Sequence, residues 1–171
     1  MIRRLFLCSL FFLVCSVISA QSIEKRYRSY LTSTGMLHFI GKKKLTKTET
    51  LSNFEYDITY IAGEDSATVN FSFLIDAPTS VKQAMLDNGH NTAMLCNPRM
   101  MFRDVIKRGY KIRTTTKVSF EVLRKFYEDS APLSFMLELA NGTTCSSTFT
   151  ASQWKKEMHD VQRVFCSIIT K

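Results

Sequence analysis

Two neighbouring stretches of the chain alternate apolar and polar residues, which is the pattern of a half-buried β-strand. They span residues 54–62 and 67–76, and the segment 63–66 between them has the composition of a turn. The apolar positions are Tyr56, Ile58 and Tyr60 in the first stretch and Val69, Phe71, Phe73 and Ile75 in the second. The pattern predicts an antiparallel hairpin whose aromatic face must be covered by other parts of the chain. The acidic residues of its polar face and turn, expected to be solvated, are Glu55, Asp57, Glu64 and Asp65.

The C-terminal part of the chain predicts a second hairpin followed by a helix. Residues 133–139 alternate in the same way, Asn141-Gly142 is a strong hairpin turn signal, and residues 145–149 return as a strand. Thr150 and Gln153 have the spacing of a helix capping box. The apolar residues that then recur at helical spacing are Trp154, Met158, Val161, Phe165 and Ile168. This helix is therefore expected to cover the aromatic hairpin.

Two middle segments allow either a helix or a strand. In residues 80–88, Ser80 and Gln83 have capping-box spacing and favour a helix, while a hairpin of 81–86 with 92–96 is the alternative. Residues 99–108 follow Asn97-Pro98 and precede Gly109, which is the punctuation of a helix. A helix is predicted there, with a strand as the alternative.

The remaining segments complete the predicted fold. Residues 35–40 and 110–118 are expected to be strands, 119–128 a short helix capped by Ser119, and 22–30 a short helix or an extended arm. The fold class is predicted as α+β, an antiparallel sheet covered on one face by helices, with the C-terminal helix packing on the central hairpin. The length of residues 21–171 fits a single domain.

The first twenty residues have the composition of a secretory signal peptide. Arg3 and Arg4 precede an apolar run of about 14 residues, shorter than the roughly 20 needed to span a bilayer, and Ser19-Ala20 ends it with small residues. Cleavage after Ala20 would export residues 21–171 to the periplasm or the exterior. No later segment predicts a transmembrane span.

Three cysteines lie in the predicted domain, and export would allow disulfides between them. An odd number leaves at least one without an intramolecular partner. Cys96 and Cys145 are the expected pair, although spacing alone cannot settle connectivity. Cys166 lies among apolar residues of the C-terminal helix and is interpreted as a small buried side chain.

The positive charge of the chain is concentrated in one segment. Residues 99–125 hold nine basic and two acidic residues, which is a net charge of +7. The formal net charge of the whole chain is +8. The residues whose spacing predicts one shared face are Arg99, Arg103, Lys107, Lys111, Arg113 and Lys117. That face would suit an anionic partner such as a glycan, a lipid headgroup or an acidic protein face. The alternatives are an ordinary solvated surface, or charges balanced within the fold by Glu55, Asp57 and Asp76.

The motifs of common enzymes are absent, which favours a non-enzymatic function. The chain has no G-x-S-x-G, H-E-x-x-H, P-loop or dinucleotide-binding motif, and no metal site or cofactor is predicted. No nucleic-acid-binding motif occurs either. The predicted function is that of an exported binding or interaction domain. A small hydrolase using a cysteine and one of His38, His90 and His159, or two carboxylates, is one alternative, and a structural envelope component without a ligand is another.

Overall fold

The computed structural model describes residues 25–45, 47–48 and 51–169, so the predicted signal peptide lies outside the described residues. Within them the chain forms ten strands and two helices, and nine of the strands have five or more residues. The strands are β1 Tyr27–Thr32, β2 Gly35–Lys44, β3 Lys47–Thr48, β4 Ser52–Ile61, β5 Ser66–Ile75, β6 Val81–Asp87, β7 Thr92–Ile106, β8 Gly109–Ser119, β9 Ser134–Leu139 and β10 Thr144–Thr148. The helices are α1 Phe120–Glu128 and α2 Ala151–Ile169. Neither of these helices is long and apolar enough to cross a membrane.

All ten strands belong to one antiparallel sheet, in the order β1-β2-β4-β5-β8-β7-β6-β9-β10-β3. The predicted central hairpin is confirmed as β4 and β5, in which Tyr56 lies opposite Phe71 and Ile58 opposite Val69. The predicted C-terminal hairpin is confirmed as β9 and β10. Short connections join most neighbouring strands, which explains why the local alternation of apolar residues located these hairpins correctly.

The predicted α+β class is wrong, because the fold is β-rich and its sheet covers itself. The sheet curls so that its apolar inner face packs on both sides of one core. The ring of Phe135 on β9 lies 5.0 Å from that of Phe54 and 5.1 Å from that of Tyr56 on β4, measured between centroids. The aromatic face of the central hairpin is thus covered largely by strands of the same sheet. Alternation shows that a face must be buried but does not show which element buries it.

Helix α2 adds a buried stripe to this core. Its predicted capping box is confirmed, since Thr150 and Gln153 exchange hydrogen bonds between side chain and backbone, each 3.4 Å long. Trp154 is fully buried against the rings of Tyr127 and Phe149, and its indole N–H donates to the carbonyl of Asp129 at 2.9 Å. The helix therefore anchors one side of the core through its single tryptophan.

Both helices predicted in the middle of the chain are strands. Residues 81–87 form β6 and pair with the start of β7 across the Asn88-Gly89 turn, which is the hairpin alternative. The predicted helix at 99–108 lies within β7, which pairs with β8 as far as its end. Asn97 has a φ of 51° at a β-bulge instead of capping a helix. Pairing with neighbouring strands outweighs these local helix signals.

Gly109, predicted to stop a helix, is instead the first residue of β8 after the turn from β7. Its φ of 100° is in the left-handed region, where glycine is favoured. A Cβ at this position would also collide with the carbonyl oxygen of Ile75. The glycine thus permits the tight turn from β7 to β8 against the end of β5.

A candidate binding surface on β7 and β8

Strand β7 has one open edge over most of its length, because it pairs with β6 through its first residues only. Its first residues, 92–95, pair with β6, whereas residues 96–106 pair only with β8 among the described strands. We call residues 96–106 the β7 arm. Along the arm, one row of backbone N–H and C=O groups faces away from β8 without a neighbouring strand in the described structure. Such an edge can hydrogen-bond to another extended chain.

Apolar and basic side chains are both exposed on this arm. Val105 is 80% exposed and Met101 55%, and Met100 and Phe102 are also exposed. Arg99, just before these residues, and Arg103, among them, are also exposed, and Asp104 is the arm's single acidic residue. Large exposed apolar side chains clustered in one region are typical of an interaction surface.

The six basic residues predicted to share one face are divided by the structure. Arg99 lies opposite Thr115, on the same sheet face as Lys111, Arg113 and Lys117. A β-bulge between Met100 and Phe102 then shifts the register, so that Arg103 lies opposite the buried Ile112 and projects from the other face. The last of the six, Lys107, is in the turn before β8. An extra residue in a strand reverses the face from which all later side chains of that strand project, and no local sequence pattern predicts this bulge.

Two of the six residues are paired within the fold. The Arg113 guanidinium donates to the Asp57 carboxylate at 2.7 Å and to the Ser72 hydroxyl at 3.2 Å. The Asn70 amide donates to the other Asp57 oxygen at 2.8 Å. Asp57 is 1% exposed, so the expectation that this acid is solvated is wrong. Lys111 lies 3.6 Å from Glu55. Internal balancing of the basic segment, one of the sequence alternatives, is thus what the structure shows for Lys111 and Arg113.

The remaining cations include two that line a surface cavity. Arg99 and Lys117 border a cavity of about 660 Å³, whose other lining residues are Thr68, Asn97, Pro98, Thr115 and Thr116. Neither Arg99 nor Lys117 forms an ion pair with a described residue, and both are exposed. Two cations beside hydroxyl and amide groups offer charge-assisted hydrogen bonds to an anionic group. The structure therefore brings together two of the predicted residues in a position to hold a carboxylate, phosphate or sulfate.

A buried ionic cluster around Glu157 was not predicted from the sequence. The Arg26 guanidinium donates to both oxygens of the Glu157 carboxylate, at 2.6 and 2.9 Å, and Lys43 lies 3.1 Å away. The Tyr56 hydroxyl donates to Glu157 at 2.7 Å, and the Tyr127 hydroxyl lies 2.9 Å from that of Tyr56. One signal was available, since Glu157 is an acidic residue on the same helical side as Trp154 and Val161.

The electrostatics of this cluster indicate a structural role. Burial alone would raise the pKa of Glu157, but the hydrogen bonds and charge of Arg26, together with Lys43 and Tyr56, outweigh it and lower that pKa. Burial, and next the charge of Glu157, raises the pKa of Tyr56 and of Tyr127, so both phenols keep their protons. The cluster joins Arg26, which directly precedes β1, and Lys43 of β2 to helix α2.

Of the described cysteines and histidines, only Cys96 lies on the β7 arm, as its first residue. Cys96 and Cys145 do not form the expected disulfide: register places them three strands apart, roughly 14 Å at 4.8 Å per strand. Cys145 is buried, whereas Cys166 is exposed and not buried as expected. His90 lies 2.9 Å from Asp129. Among the described residues, no group of three or more His, Cys, Asp or Glu side chains is arranged to hold a metal ion.

Comparison of the chain with protein-family models, with curated proteins and with solved structures found no match.

Proposed function

We propose that the protein is an exported, non-enzymatic binding domain that takes an acidic, extended segment of a partner protein along the β7 arm. The observation that supports this most directly is the open edge of the arm, which carries both exposed apolar and exposed basic side chains. An added strand gains main-chain hydrogen bonds from such an edge, and its side chains supply the specificity.

The distribution of charge fits an added strand better than a flat anionic surface. Arg99 and Arg103 project from opposite faces of the sheet, so a glycan or a membrane lying on one face would reach only one of them. A strand added at the edge sends its side chains alternately to both faces and can reach both cations. The exposed Val105 and Met101 then contact apolar side chains of the same partner.

The charge also disfavours pairing of the arm with a second copy of itself. Two antiparallel copies would bring together the cations of both arms, namely Arg99, Arg103 and the Lys107-Arg108 turn. Each copy would supply a single acidic residue, Asp104, to balance them. Like charges on adjacent strands are destabilising. An acidic partner removes this repulsion. Export, the other element of the proposal, is supported by the signal-like composition of residues 1–20.

A synthetic peptide tests this function. The probe is an extended peptide of about ten residues in which pairs of glutamates alternate with pairs of valines, so that each face carries both types. We expect binding by fluorescence anisotropy, and loss of binding when alternate backbone amides along one edge of the peptide are N-methylated. Heparin and anionic phospholipid vesicles serve as glycan and lipid probes. Stronger binding to either of these, or equal binding of the methylated peptide, would contradict strand addition.

A further inference from the structure

Three methionines form a row across three neighbouring strands, next to the start of the β7 arm. Met85 on β6 lies directly opposite Met94 on β7 and directly opposite Met136 on β9. Directly opposite residues in antiparallel strands project from the same face, with Cβ atoms about 4.5–5.5 Å apart. We call these three residues the methionine row.

The row projects outward from the sheet. Each methionine has a buried neighbour in its own strand: Ala84 precedes Met85, Leu95 follows Met94 and Leu137 follows Met136. Ala84 lies directly opposite both Leu95 and Leu137. Because successive side chains alternate between the faces of a strand, the methionines lie on the opposite, solvent-facing side. Met94 is 51% exposed and Met136 40% exposed, so these thioethers do not serve to fill the core.

The three methionines also border one cavity. Its volume is about 370 Å³, and its polar lining residues include Gln83, Glu138, Thr144 and Ser146. The Glu138 carboxylate accepts from the Lys82 ammonium at 2.6 Å, so its charge is balanced at the cavity rim. The cavity above the row is therefore lined by three thioether sulfurs, the thiol-bearing Cys145 and several uncharged polar groups, with Glu138 as the one carboxylate.

We propose that Met85, Met94 and Met136 form a binding site for monovalent copper. Thioether sulfur is a soft, neutral ligand that favours Cu(I) over hard cations such as Mg²⁺ and Ca²⁺, which take oxygen ligands. The flexible side chains of Met94 and Met136 can lean from either side towards Met85, which brings three sulfurs to one ion. An apolar contact surface would be served equally by leucine or valine, whereas all three aligned positions carry sulfur. This inference does not depend on the proposed peptide-binding function.

Anaerobic titration with Cu(I) against a chromophoric chelator tests the site. The thiols of residues 21–171 are first removed by Cys96→Ser, Cys145→Ala and Cys166→Ser, because Cys145 also lines the cavity, so that only thioethers can supply the sulfur ligands. We expect one Cu(I) per chain, and binding that persists under mildly acidic conditions because a thioether, unlike a thiolate, is not protonated there. Met85→Leu nearly conserves volume and should preserve the fold. It should lower the affinity more than about 100-fold, since losing even an outer partner of a metal ligand costs about 10–100-fold.

Met101→Leu is the matched control, because Met101 is an exposed methionine outside the row. It should bind Cu(I) like the parent. A second measurement follows the NMR signals of ¹³C-labelled methionine methyl groups as Ag(I) is added. The signals of Met85, Met94 and Met136 should shift, and those of the other methionines should not. Failure of the parent to compete with the chelator would overturn the proposal. Equal losses in Met85→Leu and Met101→Leu, or Ag(I) shifts centred on other methionines, would do the same.

Discussion

The guanidinium of Arg113 donates to the carboxylate of Asp57, 56 positions away in the chain, at a distance of 2.7 Å. This pair joins β8 to β4 across the intervening strand β5, and it is almost wholly buried at Asp57. Because Asp57 holds its guanidinium, Arg113, in the middle of the basic segment, is not free to bind a partner protein. The surface that can attract an anionic partner is therefore smaller than the sequence predicts, and it is centred on the β7 arm.

Replacing Arg113 by Ser should destabilise the protein, because it leaves the Asp57 carboxylate buried without its counter-ion. Breaking one side of a buried pair costs about 3–5 kcal/mol, which urea-induced unfolding would measure. Arg103→Ser is the matched control, since Arg103 is exposed on the same hairpin and should cost less than about 0.5 kcal/mol. Equal unfolding free energies for the two variants would show that the Arg113 pair adds nothing to stability.

The Glu157 cluster should make stability depend on pH. The pKa of Glu157 is lowered from 4.5, so its contribution is complete above about pH 4.5 and is lost as pH falls through the lower folded-state pKa. Glu157→Gln keeps the shape but removes the charge that balances Arg26 and Lys43. At neutral pH it should cost about 3 kcal/mol in unfolding free energy.

The pH dependence of that difference is the informative quantity. Other carboxylates titrate in both proteins and cancel in the comparison. The gap between the parent and Glu157→Gln should therefore narrow as the pH falls below about 4.5. A gap that stays constant from neutral to acidic pH would mean that the charge of Glu157 does not stabilise the fold.

Trp154 should be the most sensitive aromatic position of helix α2. Trp154→Ala should cost about 3–5 kcal/mol in thermal or chemical unfolding, as expected for a fully buried large side chain. Trp154→Phe keeps a ring against Tyr127 and Phe149 and should cost less. Because the chain has a single tryptophan, its emission reports this site alone. Solvent-exposed emission from the native protein would contradict the burial.

Cys96 should be dispensable for stability. In the structure it is exposed and not joined to Cys145, so Cys96→Ser should change the unfolding free energy by less than about 0.5 kcal/mol. Removal of a native disulfide would instead cost about 2–5 kcal/mol. Thiol titration of the unreduced native protein is a second check, because an exposed Cys96 should react without denaturant.

The hairpins could be predicted from the sequence because their signals are local. Alternation in β4 and β5, the Asn141-Gly142 turn and the Thr150 cap each depend on residues close together in the chain. Strand β7 could not be predicted in this way. Its Asn97-Pro98 and Gly109 punctuation favours a helix locally, and only pairing with β8, together with the bulge after Met100, determines its conformation.

The candidate surface was predictable only in part for the same reason. Charge spacing identified the segment but could not show which cations meet an acid from a distant strand. Asp57 reaches Arg113 only because β5 holds β4 and β8 on either side of it. Arg103 reverses its side only because of the bulge. Such relationships arise from tertiary register, which the local pattern does not contain.

The most direct test of the proposed function is charge reversal on the β7 arm and at the cavity that Arg99 and Lys117 line. Binding of the acidic peptide is the assay. The test variant carries Arg99→Glu, Arg103→Glu and Lys117→Glu. The control carries Lys155→Glu, Lys156→Glu and Arg163→Glu on the exposed side of helix α2, which gives the same change in net charge. Circular dichroism would first confirm that both variants are folded.

Peptide affinity is then measured by fluorescence anisotropy, at low and at physiological salt, for the parent and both variants. Three exposed ion pairs together contribute up to about 3 kcal/mol, so the test variant should lose on the order of 100-fold in affinity while the control binds like the parent. Parent binding should also weaken as salt rises, because exposed charges are screened over about 8–10 Å. An equal loss in both variants, or peptide binding that neither the test variant nor salt alters, would contradict the account.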